Sequence, residues 1–148
     1  MWSVHFTAFD CLKRRIEQAK KVRALVAQRP TGAIPIVVGD LNNTTPKCSS
    51  PKKKGKPIRL LDLASSGAGA FDLNPTVAMK AACSSANATF NTGWNTRRSD
   101  DRSRWDYIFA DQGLTVSGVD IHKQWYDLGS GTTSPSDHYA VSAVLAAP

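Results

Sequence analysis

The chain has 148 residues, 41% hydrophobic and 21% charged, enough for one domain with a single core. Lysine and arginine outnumber the acids 19 to 12, giving a formal net charge of +7 and a pI of about 9.6, so the chain attracts polyanions: nucleic acid, phosphorylated lipid headgroups or anionic surfaces. No apolar run approaches the roughly 20 residues of a membrane-spanning helix, and Met1-Trp2-Ser3 leads straight into strand-like sequence without a signal peptide.

Ser3 to Thr7 sets Val4 and Phe6 against polar neighbours and predicts a strand. His5 sits within it and, taken alone, reads as a histidine pointing off a sheet. Asp10 is a candidate N-cap. Leu12, Ile16, Ala19, Val22 and Val26 then recur at helical spacing. Lys13, Arg14, Glu17, Lys20 and Lys21 form the opposite, solvated face, and Pro30 and Gly32 end the helix. Ile34 to Val38 is a short, β-branched apolar run, the pattern of a strand buried on both faces. Strand, helix and strand make a βαβ-like unit and an α/β fold.

That run stops at Gly39-Asp40-Leu41-Asn42. Gly39 relaxes the backbone, and Asp40 and Asn42 are presented at the rim of the sheet. They either orient a metal-bound phosphate or bond their own backbone in an Asx-turn. The polar loop from Thr44 to Lys56 carries Lys47, Lys52, Lys53, Lys54 and Lys56, with Arg59 beyond and no acid between Leu41 and Leu61. Such a loop either tracks a polyanion backbone or is merely solvated. Ile58 to Ser65 reads as a short helix, and Ser66 to Ala88 as loop, with Gly67, Gly69 and Pro75 as breakers.

Thr89, Phe90 and Trp94 precede a cluster of mixed charge from Arg97 to Arg104. Trp105 to Ala110 is aromatic and β-branched, a strand with an acid, Asp106, at its start, where acids are uncommon. Leu114 to Ile121 is a further strand anchored by Leu114, Val116 and Val119. After Ser134-Pro135-Ser136-Asp137 a final strand begins at His138 or Tyr139 and runs to Leu145. Asp40 thus ends a strand, while Asp106 and Asp137-His138 begin theirs. If those strands run antiparallel to the first, the carboxylates, the amide and the imidazole meet at one edge, a catalytic constellation rather than separate surface residues.

At these residues the chain resembles the endonuclease/exonuclease/phosphatase superfamily, which includes pancreatic-type DNase, apurinic endonuclease, neutral sphingomyelinase and inositol polyphosphate phosphatases. The matching motifs are Gly39-Asp40-Leu41-Asn42, Trp105-Asp106-Tyr107-Ile108-Phe109 and Ser136-Asp137-His138-Tyr139-Ala140-Val141, in that order. Val4-His5-Phe6 and the Arg15-x-x-Gln18 helix are similar to further family elements, so the resemblance spans His5 to Leu145. It implies an α/β fold, the C-terminal portion of a four-layer α/β sandwich in which two packed mixed sheets are flanked by helices.

The resemblance also implies roles. His138 is the general base on an attacking water, and Asp106 orients it. Asp40 and Asn42 position water, metal or phosphate oxygens, and Asp137 with Asp40 are metal ligands. His5 contacts phosphate or assists the leaving group, which favours the DNase, sphingomyelinase and toxin branch over the apurinic one. Lys52, Lys53 and Lys54 are candidate phosphate contacts. The implied cofactor is Mg2+ or Mn2+, and the implied chemistry is phosphodiester hydrolysis by activated water. The implied partner is nucleic acid, with phospholipid or inositol phosphate as alternatives.

The family carries an asparagine and a metal-binding glutamate in its N-terminal half, and no residue before His5 supplies them. Residues 1–148 are therefore expected to be a partial domain whose N-terminal half is missing, a weak catalyst alone with apolar strand faces short of partners. Two functional classes fit: a metal-dependent phosphodiesterase, an endonuclease before a lipid or inositol-phosphate phosphoesterase, or an inactive remnant that binds polyanions. Cys11, Cys48 and Cys83 form an odd set. Secreted DNase-like proteins place a disulfide between similar regions, which implies a Cys48–Cys83 bridge, a free Cys11 and an extracytoplasmic protein. Three reduced thiols are the alternative. Thiol titration of the denatured, unreduced chain is expected to find Cys11 alone reactive, and reaction at Cys48 and Cys83 as well would remove the bridge.

Overall fold

Trp2–His5 form β1, Leu12–Ala27 helix α1 and Ile36–Asp40 strand β2; Leu73–Pro75 (β3), Asp106–Asp111 (β4), Thr115–His122 (β5), Tyr126–Asp127 (β6), Thr132–Thr133 (β7) and Ala140–Ala146 (β8) follow. The structure is a computed structural model and describes residues 1–8, 12–42, 73–75, 89, 105–111, 113–123, 126–127, 132–133 and 136–147. The Asp10 cap, the basic loop with Lys52, Lys53 and Lys54, the short helix from Ile58, the Arg97–Arg104 cluster and all the cysteines lie outside these residues. No helix among the described residues is long and apolar enough to cross a membrane.

The main sheet has the order β1-β2-β4-β3. β1 and β2 are parallel, as the βαβ pattern requires, and β4 is antiparallel to both β2 and β3. A second sheet pairs β5 with β8, and β6 and β7 form a small ribbon. The condition that the later strands run antiparallel to β2 in its sheet holds for β4 but does not describe the final strand. It belongs instead to the second sheet, with Ile121 opposite Val141 and His122 opposite Ala140. It still lies against β4, across the sandwich.

Helix α1 covers one face of the main sheet. Its buried positions are Arg15, Ala19, Val22 and Val26, and the three apolar ones pack with Phe6, Val37, Leu41, Tyr107 and Phe109 into one core. These strand residues share a face because side chains alternate with period two: Val37 pairs with Phe109 and Gly39 with Tyr107. The expected burial of β2 on both faces is corrected. Val37 is fully buried, but Ile36 and Val38, on the face away from the helix, are partly open. The strand also starts two residues later than the apolar run, leaving Ile34 48% exposed, and extends through Gly39 and Asp40.

The same packing anchors the end of β1. Arg15 is 7% exposed, and its Nη1 donates to the carbonyl of Thr7 at 3.1 Å. Gln18 Oε1 accepts from the Thr7 N–H at 3.0 Å. The Arg15-x-x-Gln18 pair thus grips both backbone polar groups of Thr7, two residues past His5. Each fully buried core side chain such as Phe109 stabilises by roughly 1.5–3 kcal/mol. An exposed pair such as Lys20–Glu17, 2.8 Å apart, contributes about 0.3–0.5 kcal/mol. Packing, not surface ion pairing, therefore fixes where the strand ends lie.

Leu114, just before β5, and Val116, Val119 and Ile121 within it are half-buried. The register shift between Ser117 and Asp120 inserts the extra residue that keeps all of them on one face. Gly118, with a φ of 55°, sits in that bulge.

Gly39 has a φ of 135°, and a Cβ there would overlap the carbonyl oxygen of Val4 in the adjacent strand. Gly39→Ala is expected to destabilise the fold by at least about 1–3 kcal/mol from backbone strain alone. A drop in the denaturant midpoint would register it, and an unchanged midpoint would contradict the close approach.

Candidate functional site

Three strand ends bring the polar residues together in one row. His5 is the register partner of Asp40 across β1 and β2, and Asp40 is the partner of Asp106 across β2 and β4. Partners in register project to the same face, here the face opposite α1. The backbone pairing continues past this row, with Phe6 N–H donating to Asp40 O at 2.8 Å and Leu41 N–H to Trp105 O at 2.8 Å. The row is therefore held by backbone on both sides.

His138 enters from the second sheet, just before β8. Its Nδ1 lies 2.8 Å from Asp106 Oδ2, and its Nε2 3.9 Å from Asp40 Oδ2. His5 Nε2 is 3.3 Å from that same Asp40 oxygen. Donor atoms of Asp40, Asp106 and His138 all fall within 4.8 Å of one another, a spacing that can hold a metal ion. The Asp40 side chain is 12% exposed, that of His138 23%, and that of His5 74%. The site is thus a half-buried edge with one exposed histidine at its open side.

Of the two readings of their motif, Asp40 and Asn42 show the backbone-bonded turn. The Asn42 N–H donates to Asp40 Oδ1 at 2.6 Å, the Asx-turn expected of the pair, and Asn42 takes a φ of 45°, which asparagine tolerates. Its side-chain amide donates to Asp40 Oδ2 at 2.9 Å and to Phe6 O at 2.9 Å. In this arrangement Asn42 directs its amide donors into the protein and braces Asp40 against β1.

Asp137 is exposed beside His138 and lies outside the close Asp40–Asp106–His138 group; its charge still acts on the imidazole. Lys52, Lys53 and Lys54 are outside the described residues.

Sequence reasoning passed over three residues here. The Thr89 hydroxyl accepts from the backbone N–H of Trp105 at 2.9 Å and of Asp106 at 3.1 Å. The indole of Trp105 lies 5.8 Å from the His138 ring. Ser136 Oγ accepts from the His138 N–H at 3.0 Å. Only Ser136, two residues before the histidine, carried a local signal, since serine habitually caps its own chain. Thr89 sits in loop-like sequence, and nothing local marks it.

Burial pushes the Asp40 carboxyl above its ordinary range, and the nearby Asp106 charge adds to this; the Asn42 N–H and the two histidines oppose it. The hydrogen bond to Asp106 raises the His138 imidazole; the charges of Asp106, Asp40 and Asp137 act in the same direction, and burial acts against them. With Nδ1–H donated to Asp106, the lone pair of Nε2 points to the gap beside Asp40. This is the tautomer a general base requires.

No protein-family model matches the chain, and no curated protein matches it. Solved structures do match. Over 97% of this chain it is similar to a mannosyl-6-phosphatase of Bacteroides thetaiotaomicron, with a TM-score of 0.62 and 19% identity. An endonuclease/exonuclease/phosphatase family protein of the same organism matches with a TM-score of 0.61 and 20% identity. The beta toxin of Staphylococcus aureus matches over 96% of the chain with a TM-score of 0.61 and 19% identity. The chain has the α/β sandwich fold of endonuclease/exonuclease/phosphatase proteins, and it spans 48–50% of the length of these structures.

The raised imidazole sets a testable pH dependence. A folded value above the unfolded one adds stability below the ordinary histidine range of about 6.5, and this is lost as pH rises through the raised value. Asp106→Asn is therefore expected to destabilise the chain most in mildly acidic solution, with the deficit shrinking towards alkaline pH. Melting curves of both proteins across that range check this; a deficit that grows with pH would contradict the pairing.

Proposed function

We propose that this chain carries the water-activating edge of a divalent-metal-dependent phosphoric-ester hydrolase. The observation that supports it most is the Asp106–His138–Asp40 arrangement, with Nδ1 bonded at 2.8 Å and Nε2 facing a carboxylate at 3.9 Å. That gap is too wide for a direct hydrogen bond and suits one water bonded to both groups. His138 Nε2 takes a proton from this water as it attacks phosphorus. Asp106 holds the imidazole in orientation and stabilises its charged form. His5, the most open of the group, is placed to donate to a phosphate oxygen or to the leaving oxygen.

The residues present suit a hard cation. Asp40 offers carboxylate oxygens in a partly buried position where its negative charge is disfavoured, and oxygen donors match Mg2+ or Mn2+. Asp40 would hold the ion, with Asp137 or Asp106 as a second carboxylate. Bound there, the ion would neutralise phosphate charge and polarise the ester.

For the substrate, the net charge of +7 favours a polyanion, so endonucleolytic cleavage of nucleic acid is the leading reading. A second reading, a sugar-phosphate phosphoesterase, is favoured by the likeness to a mannosyl-6-phosphatase, and a lipid phosphoesterase is a further alternative. Plasmid DNA, sphingomyelin, a phosphoinositide and a sugar 6-phosphate, assayed side by side with Mg2+, are expected to give hydrolysis with DNA first. Chelation should abolish it, and in a version that carries the N-terminal half His138→Ala should lower turnover about 10²- to 10⁴-fold with the fold intact. Full activity in His138→Ala would sink the assignment. Salt-sensitive DNA binding without hydrolysis of any substrate would point instead to an inactive polyanion-binding module.

A further inference from the structure

Asp106 and His138 work as a pair, yet Asp106 opens β4 of the main sheet while His138 lies on the approach to β8 of the second. Their 2.8 Å contact exists only if the start of β4 and the approach to β8 hold their relative position. Misplacement by about 1 Å can cost a catalytic group on the order of 10²-fold in rate. What spans the two segments is therefore part of the chemistry.

Thr89 spans them. Its hydroxyl accepts from the N–H groups of Trp105 and Asp106, at 2.9 and 3.1 Å. Its carbonyl accepts from the N–H of Tyr139 at 2.7 Å. One residue thus bonds the backbone of the acid itself and the backbone next to the histidine. A hydroxyl has two acceptor lone pairs, which suits it to receive both β4 donors at once. Thr89 is 0% exposed, so water cannot readily substitute for either bond.

We propose that Thr89 is the positioning residue of the Asp106–His138 pair, setting their separation by clamping both backbones without touching the reacting atoms. This rests on reading the pair as the water-activating centre. The clamp has two arms of different chemistry. The carbonyl arm survives any side-chain change, and the hydroxyl arm does not, so substitutions at position 89 release the β4 side alone.

The test compares Thr89→Val, which keeps the shape but cannot accept, with Thr89→Ser, which can. In the parent, the proton shared between His138 Nδ1 and Asp106 should give a downfield imidazole resonance at fixed pH. It should be lost or moved upfield in Thr89→Val and kept in Thr89→Ser. Turnover of whichever phosphoester the parent hydrolyses should fall about 10- to 100-fold in Thr89→Val. KM should stay nearly constant, the pattern of a lost transition-state interaction, and Thr89→Ser should restore most of the rate. If Thr89→Val does not fold, Thr89→Cys, a weak acceptor of similar size, should lie between parent and valine in both readouts. An unchanged resonance and kcat in a folded Thr89→Val or Thr89→Cys would overturn the proposal. Equal losses in Thr89→Ser and Thr89→Val would also overturn it, by making position 89 merely structural. A parent that hydrolyses nothing even with the N-terminal half supplied would refute the proposed function, while the resonance would still decide the clamp.

Discussion

The backbone of β1 passes so close to Gly39 that no side chain fits between them, and the rest of the polar edge depends on that approach. It holds β1 against β2 in the register that sets His5 beside Asp40. Strand β4, antiparallel on the other side, then sets Asp106 beside Asp40. Strand alternation does the remaining sorting. Trp2, Val4, Val37, Tyr107 and Phe109 turn to the helix, so the residues between them must turn the other way. One close contact and one period of two therefore produce a row of His5, Asp40 and Asp106 on a single face.

That row is an electrostatically costly arrangement. Two carboxylates sit opposite each other in a partly buried position, and burial disfavours the charge on Asp40. A purely structural sheet end would avoid such a pair, because like charges directly opposite are destabilising. Here the cost is offset locally by hydrogen bonds from Asn42 to both Asp40 oxygens and by an imidazole on each side of it. Groups kept in such surroundings are where reactive protonation states arise. The same balance makes the cluster receptive to a cation, whose charge would relieve both carboxylates.

The two halves of the site reach it by different routes. Asp40 and Asp106 are neighbours through sheet hydrogen bonding, which is rigid and directional. His138 reaches them across the sandwich, and its place is set by side-chain and loop contacts: the Asp106 bond, the Trp105 ring and the Ser136 cap. Helix α1 steadies the open end through Arg15 and Gln18, which hold the backbone polar groups of Thr7 just beyond His5. The helix-packed core thus sits on one side of the sheet, and the polar row of His5, Asp40 and Asp106 on the other.

The local pattern of residues settled much of this by itself. The stripe of Ala19, Val22 and Val26 made a helix. β-Branched and aromatic runs made β2 and β4, and a strand ending in Asp40 and one starting with Asp106 are local facts that need only an antiparallel neighbour to meet. Asp137-His138 at a strand start was equally legible. Tertiary structure decided the rest, because those contacts join residues far apart in the chain. It placed β8 in a second sheet with β5, and it buried Arg15 on the helix face because the Thr7 carbonyl was there to receive it. It turned the Asn42 amide inward to Asp40 and Phe6. It made Thr89 a bridge between β4 and the approach to β8. A period or a motif reports which way a side chain faces along its own element; which partner it meets is fixed only when another element, distant in sequence, packs against it.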